Sequence, residues 1–366
     1  MFKKKLHSPE KGSGLAAAIV AIIIGLLFGL LLLLLTNPEK AFKGFNSLLA
    51  GAAKNGIPGL GAVLYFAATY ILLGLSVGFA GKTGVFNIGG AGQFIIGATA
   101  AVYVGIKWTW LPSYLHCFVA LLIGMIAGGI WGSLIGILKA KFNISEIVVG
   151  ILLNYIGIYI INMFILSNIY DPLKNRTQPV HADAMVPRFG LDKIFSNTAA
   201  DASIVIAIFM AIVVYIVLDK TVFGYEIKAC GYNKNAGAYA GINAKRNIVL
   251  SMFISGSIAG LAGALFYLSA ARNYIPVSDA TPAQAMSGIC TSLLAAGNPI
   301  GIIFSGLFIA YITVGGFNMQ LYGYVPEIVD IVTSAIIYCS AFVILISKGI
   351  IIAKRHFRTN SIERSK

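Results

Sequence analysis

The sequence predicts an all-α integral membrane protein of about ten transmembrane helices. It predicts two inverted four-helix repeats whose second helices are interrupted. Three observations carry this. Of 366 residues, 58% are hydrophobic and 11% are charged, whereas a soluble domain is about 45–50% apolar and about 25% charged. The apolar residues fall in runs of about 20, the length that crosses a hydrocarbon core. The net charge of +14 gathers in alternate links between those runs, as the positive-inside rule requires. This composition excludes a soluble enzyme, a disordered chain and a disulfide-framed secreted domain.

The expected spans are roughly 15–35, 58–79, 83–106, 115–138, 146–167, 202–218, 248–271, 281–297, 300–317 and 328–347. Residues 1–14 read as a cytoplasmic N-terminal segment, 15–347 as the polytopic domain and 348–366 as a basic cytoplasmic tail. The first span follows Lys3, Lys4, Lys5 and Lys11. It is too long for the apolar core of a signal peptide, and no small-x-small cleavage site follows it.

With the N-terminus inside, 18 of the 27 Lys and Arg residues fall on the cytoplasmic side. The net charge is then about +13 inside and +1 outside. Ten spans keep both basic termini inside; an odd number would strand the tail. The basic residues are scattered between apolar runs, with no contiguous patch for nucleic acid. Two links are long, the outside one at 168–201 and the inside one at 219–247. Neither is large enough for a soluble catalytic domain, so the energy source is expected on another subunit or in an ion gradient.

Gly124, Gly128, Gly132 and Gly136 recur every four residues, as do Gly256, Gly260 and Ala264. Positions i and i+4 share a helix face, so each row makes a groove for close helix approach. Phe142-Asn143 and Glu146-Ile147-Val148 precede the fourth helix of the block 58–167. Phe317-Asn318 and Glu327-Ile328-Val329 precede the fourth helix of the block 248–347. The first block starts outside and the second inside, the arrangement of inverted repeats.

The second helix of each block is irregular. One reads TGVFNIGGAGQFIIG from Thr83, the other TPAQAMSGICTSLLAAGNPIG from Thr281. Interrupted helices at matching positions of two halves point to a transport pathway, since irregular backbone at membrane depth must be buried or line a wet cavity. Asn87, Gln93, Asn154 and Gln284 are the candidate pathway residues. Asn154 either faces the pathway or clamps a neighbouring helix. No carboxylate or histidine sits mid-span, which disfavours ion coupling and suits a neutral polar solute held by amides, hydroxyls and aromatic faces.

Other chemistry is not expected. Cys117, Cys230, Cys290 and Cys339 form no close pair and no metal-ligand spacing, so no metal is expected. Ser76–Thr83 (SVGFAGKT) imitates a phosphate-binding loop, but its first glycine is missing and no strand precedes it. With no nucleophile–base pair in view, an enzyme is not expected.

The inside link reads TVFGYEIKACGYNKNAGAYAGINAKR from Thr221 to Arg246. Short helices are expected at 225–230 and 235–239, broken at Gly231 and Gly241. Exposed aromatic and charged side chains on a rigid stub suit docking of a soluble partner. Tyr225, Glu226, Lys228 and Gly231 are the candidate coupling residues.

This stretch resembles the cytoplasmic loop of permease subunits of bacterial ABC importers for branched-chain amino acids, simple sugars and nucleosides. FNIGGAGQFIIGA (Phe86–Ala98) is similar to that group's N-I-G-x-x-G-Q signature. ISGSIAGLAGALF (Ile254–Phe266) and AAGNPIGIIFSGLFIA (Ala295–Ala310) resemble its small-residue helix and its Gly-Asn-x-Pro-x-Gly turn. The resemblance covers about 58–347. LKAKFNISEIVVGILLNYI (Leu138–Ile156) and Met319-Gln320 look most like nucleoside permeases, with simple sugars as the alternative. The chain departs from the family at Gly90 and in TPAQAMSGICTSLLA.

The resemblance implies a bacterial cell-membrane permease subunit. Its partners would be ABC ATPase subunits, a second permease of the same or a similar kind, and an extracytoplasmic substrate-binding (lipo)protein. No cofactor is implied in this chain, because the ATPase subunits hold ATP and magnesium. The rival reading is an ion-driven secondary transporter of similar repeat architecture.

Overall fold

The computed structural model describes residues 11–54, 56–195 and 199–341. The lysines of residues 1–10, the end of the tenth span and the basic tail lie outside the described residues. Each of the ten expected segments holds a helix. In chain order, α1 is Lys11–Thr36, α2 Pro38–Lys54, α3 Gly56–Lys82, α4 Gly90–Lys107, α5 Ser113–Phe142 and α6 Glu146–Asn168. Then come α7 (Leu191–Ile194), α8 (Ser203–Lys220), α9 (Val222–Tyr232) and α10 (Lys234–Tyr239). The last four are α11 (Ala244–Tyr267), α12 (Gln284–Leu294), α13 (Pro299–Met319) and α14 (Pro326–Ala341). Among the described residues, six helices are long and apolar enough to cross a membrane: α3, α5, α6, α8, α11 and α13. The protein is a multi-pass, mainly helical membrane protein.

Helices α3 and α11 form the centre and are buried along most of their length. The glycine rows explain how α5 reaches α11. A Cβ on Gly128 would lie 2.5 Å from the Gly256 carbonyl and 2.7 Å from the Gly260 Cα. One on Gly132 would lie 2.5 Å from the Met252 carbonyl. Only backbone fits between the two helices, so their contact is helix on helix with nothing between. On its other face α5 exposes Phe118, Leu122, Ile126, Ile130 and Leu134, an apolar stripe at helical spacing.

Other contacts come in matched pairs. Helix α4 packs on α5, α11 and α6, while α12 packs on α13, α3 and α14. Helix α5 lies against α11 as α13 lies against α3. Phe142 ends α5 and Glu146 opens α6; Phe317 lies in the last turn of α13 and Glu327 in the first turn of α14.

Three elements depart from the expectations. Helix α2 was not expected, because its lysines and small residues interrupt the apolar run. It is amphipathic, burying Ala41, Leu48 and Ala52 while exposing Phe42. Helix α12 has eleven residues, a rise of about 16 Å, too short to cross alone. It ends where Ala296 and Gly297 turn left-handed, with φ of 50° and 66°. Gly231 does not break a helix; α9 runs through it, and the chain bends at Asn233. Asn233 Oδ1 then accepts the Asn235 and Ala236 amides to start α10.

Candidate functional site

The link between α3 and α4, residues 83–89, turns at Gly84, whose φ is +76°. Its polar side chains point inward. Asn87 Nδ2 donates to Gln93 Oε1 and to Ser255 Oγ, both at 2.7 Å, and Gln93 Nε2 donates back to Asn87 Oδ1 at 3.0 Å. The Ser255 hydroxyl donates its single proton to the Ser76 carbonyl at 2.8 Å. The 3.0 Å contact between the two hydroxyls therefore has Ser76 as donor. Thr83 Oγ1 donates to Ser251 Oγ at 2.6 Å. All six side chains are buried. An unpaired amide here would cost about 1–3 kcal/mol, so the network fixes the link to α3 and α11.

Asn154, on α6, grips the same link. Its Oδ1 accepts the Gly92 amide at 2.7 Å, and its Nδ2 donates to the Ile88 carbonyl at 3.0 Å. It clamps the start of α4 and also lines a cavity.

That cavity measures about 230 Å³, and Ser76, Asn87, Asn154, Tyr155, Thr281 and Met286 are among its lining residues. A second cavity of about 150 Å³ is lined among others by Ile158, Ile161, Asn162, Tyr267, Arg272 and Gln284. Pro282 borders both. The first uses Ile151, Asn154 and Tyr155 of α6; the second uses Ile158, Ile161 and Asn162. These sets lie about seven residues apart, a rise of about 10 Å. The cavities are therefore stacked along α6, divided by the segment leading into α12. Each is below the ~300–1,000 Å³ of a site that encloses a drug-sized ligand. Of the four candidate pathway residues, Asn87 and Asn154 face one cavity and Gln284 the other, while Gln93 faces neither and serves to hold Asn87.

At the opposite end from the second cavity lies α9, capped by Thr221 Oγ1 accepting the Gly224 amide at 3.1 Å. Glu226 is half-buried, and its Oε2 accepts from Asn247 Nδ2 at 3.0 Å. Lys228 pairs with Asp219 at 2.9 Å. Both charges are engaged within the chain. The outward aromatic groups are Tyr225, Tyr232 and Tyr239, 69%, 90% and 95% exposed. Gly231 lets α9 meet the α3–α4 link backbone to backbone. A Cβ there would strike the Lys82 carbonyl and lie 3.2 Å from the Gly84 amide. Helix α9 thus touches the link that carries Asn87.

Near the second cavity's end, Asp201 is 3% exposed. Its Oδ1 accepts the Ser203 amide at 2.9 Å. Burial pushes its pKa above the usual carboxylate value, opposed by hydrogen bonding from Ser203 and Ser269 and by Arg188.

Ser76, Ser255, Tyr155 and Arg272 join the site without having been expected there. Ser76 stands out in the sequence only inside the imitation phosphate loop, Ser255 only as a neighbour of the glycine row, and Arg272 only as an outside charge. A hydroxyl placed between two rows of small residues is the available signal for Ser255.

Residues 59–341 match the family model described as branched-chain amino acid transport system / permease component. The guanosine ABC transporter permease protein NupP of Bacillus subtilis is 36% identical over 332 residues, 89% of this chain and 92% of that protein. The nucleoside ABC transporter permease protein NupB of Lactococcus lactis is 32% identical over 307 residues, 82% and 83% of the two chains. The glucose ABC transporter permease protein TsgB13 of Haloferax volcanii is 26% identical over 287 residues, 76% and 75% of the two. No solved structure matches.

Proposed function

Because the chain belongs to the branched-chain amino acid transport system permease family, we propose that its stacked cavities are successive stations of a nucleoside import pathway. The protein is a membrane component of a transporter rather than an enzyme. The stacking of the two cavities on either side of the segment leading into α12 carries the pathway reading. The relatives named for guanosine and nucleosides, each matched over most of its length, support the solute. Asn87, Asn154 and Gln284 supply polar contacts along the route, and Gln93 holds Asn87 in place.

Ten spans in two inverted repeats, α3–α6 and α11–α14, are supported by the matched packing of α5 on α11 and α13 on α3. They are supported too by the Phe-Asn and Glu-Ile-Val pairs at corresponding helix ends. The charge count supports cytoplasmic termini, with α9 and α10 inside and residues 168–201 outside.

ATP and magnesium belong to separate ATPase subunits, which dock on α9. Tyr225, Tyr232 and Tyr239 offer flat, exposed contact area there, the residue type enriched at interface hot spots. Glu226 and Lys228 act by fixing α9 to α11 and to the end of α8. A push on α9 reaches Gly84 through Gly231, and from there the link bearing Asn87. A binding protein delivers solute at the outer end, and a second permease, identical or similar, completes the assembly.

The test is uptake by the permease co-expressed with its ATPases and receptor in proteoliposomes. ATP-dependent uptake of labelled guanosine is expected. Glucose or ribose uptake in its place would shift the reading to a sugar permease. Uptake by the permease alone under an ion gradient would replace it with a secondary transporter.

A further inference from the structure

The outer cavity contains a single charged side chain, Arg272. Among the described residues the ion pairs are Lys139–Glu146 and Lys228–Asp219, so Arg272 has no carboxylate partner. The acid in its own segment, Asp279, gives Oδ1 to Asn162 Nδ2 at 3.1 Å. Arg272 is nevertheless well rooted. Its amide donates to the Ser269 carbonyl at 3.0 Å, an isolated bridge ties those two residues, and its guanidinium carbon lies 5.4 Å from the centre of the Phe266 ring. A half-buried guanidinium has five N–H groups in a fixed planar fork and accepts nothing. Held in position and unmatched by a carboxylate, this one offers its donors to whatever enters the cavity.

The remaining lining narrows the guest. Gln284 also lines the cavity, and among the described residues its side chain makes no hydrogen bond. An amide brings both a donor and an acceptor. Ile158 and Ile161 supply apolar wall. A volume of about 150 Å³ equals roughly five waters at ~30 Å³ each, room for a flat ring system and not for its sugar as well.

We propose that the outer cavity reads the base of a 6-oxopurine nucleoside, with Arg272 as the side chain that sets specificity. This rests on the nucleoside reading above and deepens it. A 6-oxopurine presents two acceptors on one edge, O6 and N7, which match the guanidinium fork two for two. Adenine carries an amino group in place of O6, so one arm of the fork would meet donor against donor. Uracil sets its N3–H donor between O4 and O2, so it offers no adjacent pair of acceptors. Gln284 reaches the remaining base atoms from the α12 side, and the ribose points toward Pro282 and the inner cavity.

The experiment uses the whole importer, permease with ATPases and receptor, and labelled guanosine, adenosine and uridine. One good bidentate pair is worth about 5- to 150-fold in discrimination. In Arg272→Gln, guanosine uptake falls by that factor while adenosine and uridine stay within about threefold. Arg272→Lys gives an intermediate loss, because an ammonium is a point donor. Unchanged basal ATPase activity and membrane level confirm a folded complex. An equal fall for all three solutes, or no change, overturns the role of Arg272 and leaves nucleoside import standing. Failure of the wild-type importer to take up any of the three overturns both.

Discussion

The links leading into α4 and α12 are built in opposite ways. Residues 83–89 are short and locked. Their side chains are tied to Ser76, Ser251 and Ser255, and Asn154 holds the Ile88 carbonyl and the Gly92 amide. Residues 268–283 are long. Their first half is pinned where the Thr177 and Val180 amides donate to the Ile275 and Asn273 carbonyls, but Ser278–Thr281 are exposed. Asn162 holds the Ser278 carbonyl and Asp279, and α12 beyond is short. The contrast teaches that two interruptions in one helical bundle need not be mechanically alike. One interruption is fixed in place beside α9; the other is a loosely hung divider between two cavities.

The largest expected effect attacks the fixed side at its foundation. Gly128→Val pushes a branched side chain into the α11 backbone, 2.5 Å from the Gly256 carbonyl at its Cβ alone. Overpacking costs about 1–3 kcal/mol where neighbours can shift; backbone cannot, so about 3 kcal/mol or more is expected. The readout is loss of monodisperse protein in detergent. Normal yield and melting would mean that the rows do not set the α5–α11 distance.

Next comes the network itself. Asn87→Ala strands Gln93 and frees the Ser76 and Ser255 hydroxyls, at about 1–3 kcal/mol. Interhelical pairs in membranes average nearer ~0.6 kcal/mol in double-mutant cycles, so a cycle with Ser255→Ala separates pairing from burial. A melting temperature unchanged from wild type would break the claim that this link is locked.

Much of the fold was legible in the sequence, the asymmetry between the two links was not, and the gap has a physical cause. Apolar run length located the helices, and the glycine rows marked two faces for close helix approach without saying that they meet each other, because run length and row are both local to one stretch of chain. The position of each interruption was legible from Gly, Pro and amide residues. The difference between them was not. Ser255 is 168 residues from Asn87, and no local pattern says that they meet. Nor does the spacing of Asn87 and Gln93 correspond to one helix face; they pair because 83–89 is not helical. Helix α2 escaped because amphipathic spacing, rather than apolar length, defines it.

On the loose side the expectation reverses. Gln284→Ala removes a side chain without a hydrogen bond among the described residues, so stability should change by less than ~0.5 kcal/mol. Uptake should fall several-fold, since the cavity loses an amide. A clear drop in melting temperature with intact uptake would make Gln284 structural and erase the contrast with Asn87.

The smallest effect is one of pH, at the root of the loose segment. Asp201 accepts the Ser203 amide there, and burial holds its pKa above the usual value. A carboxyl whose pKa is raised by folding favours the folded state while protonated. That contribution is complete below its unfolded pKa of about 3.9 and is lost as pH rises through the folded value. Wild type should therefore lose a little thermal stability as pH rises above about 3.9. Asp201→Asn, which still accepts the Ser203 amide and does not ionise, should flatten that slope and melt no lower than wild type at neutral pH. Melting curves across pH for both proteins decide it. A wild-type stability that climbs with pH would mean that Arg188 outweighs burial and that the root of the segment is held by charge. Parallel curves would mean that Asp201 ionises in the folded state as it does in the unfolded.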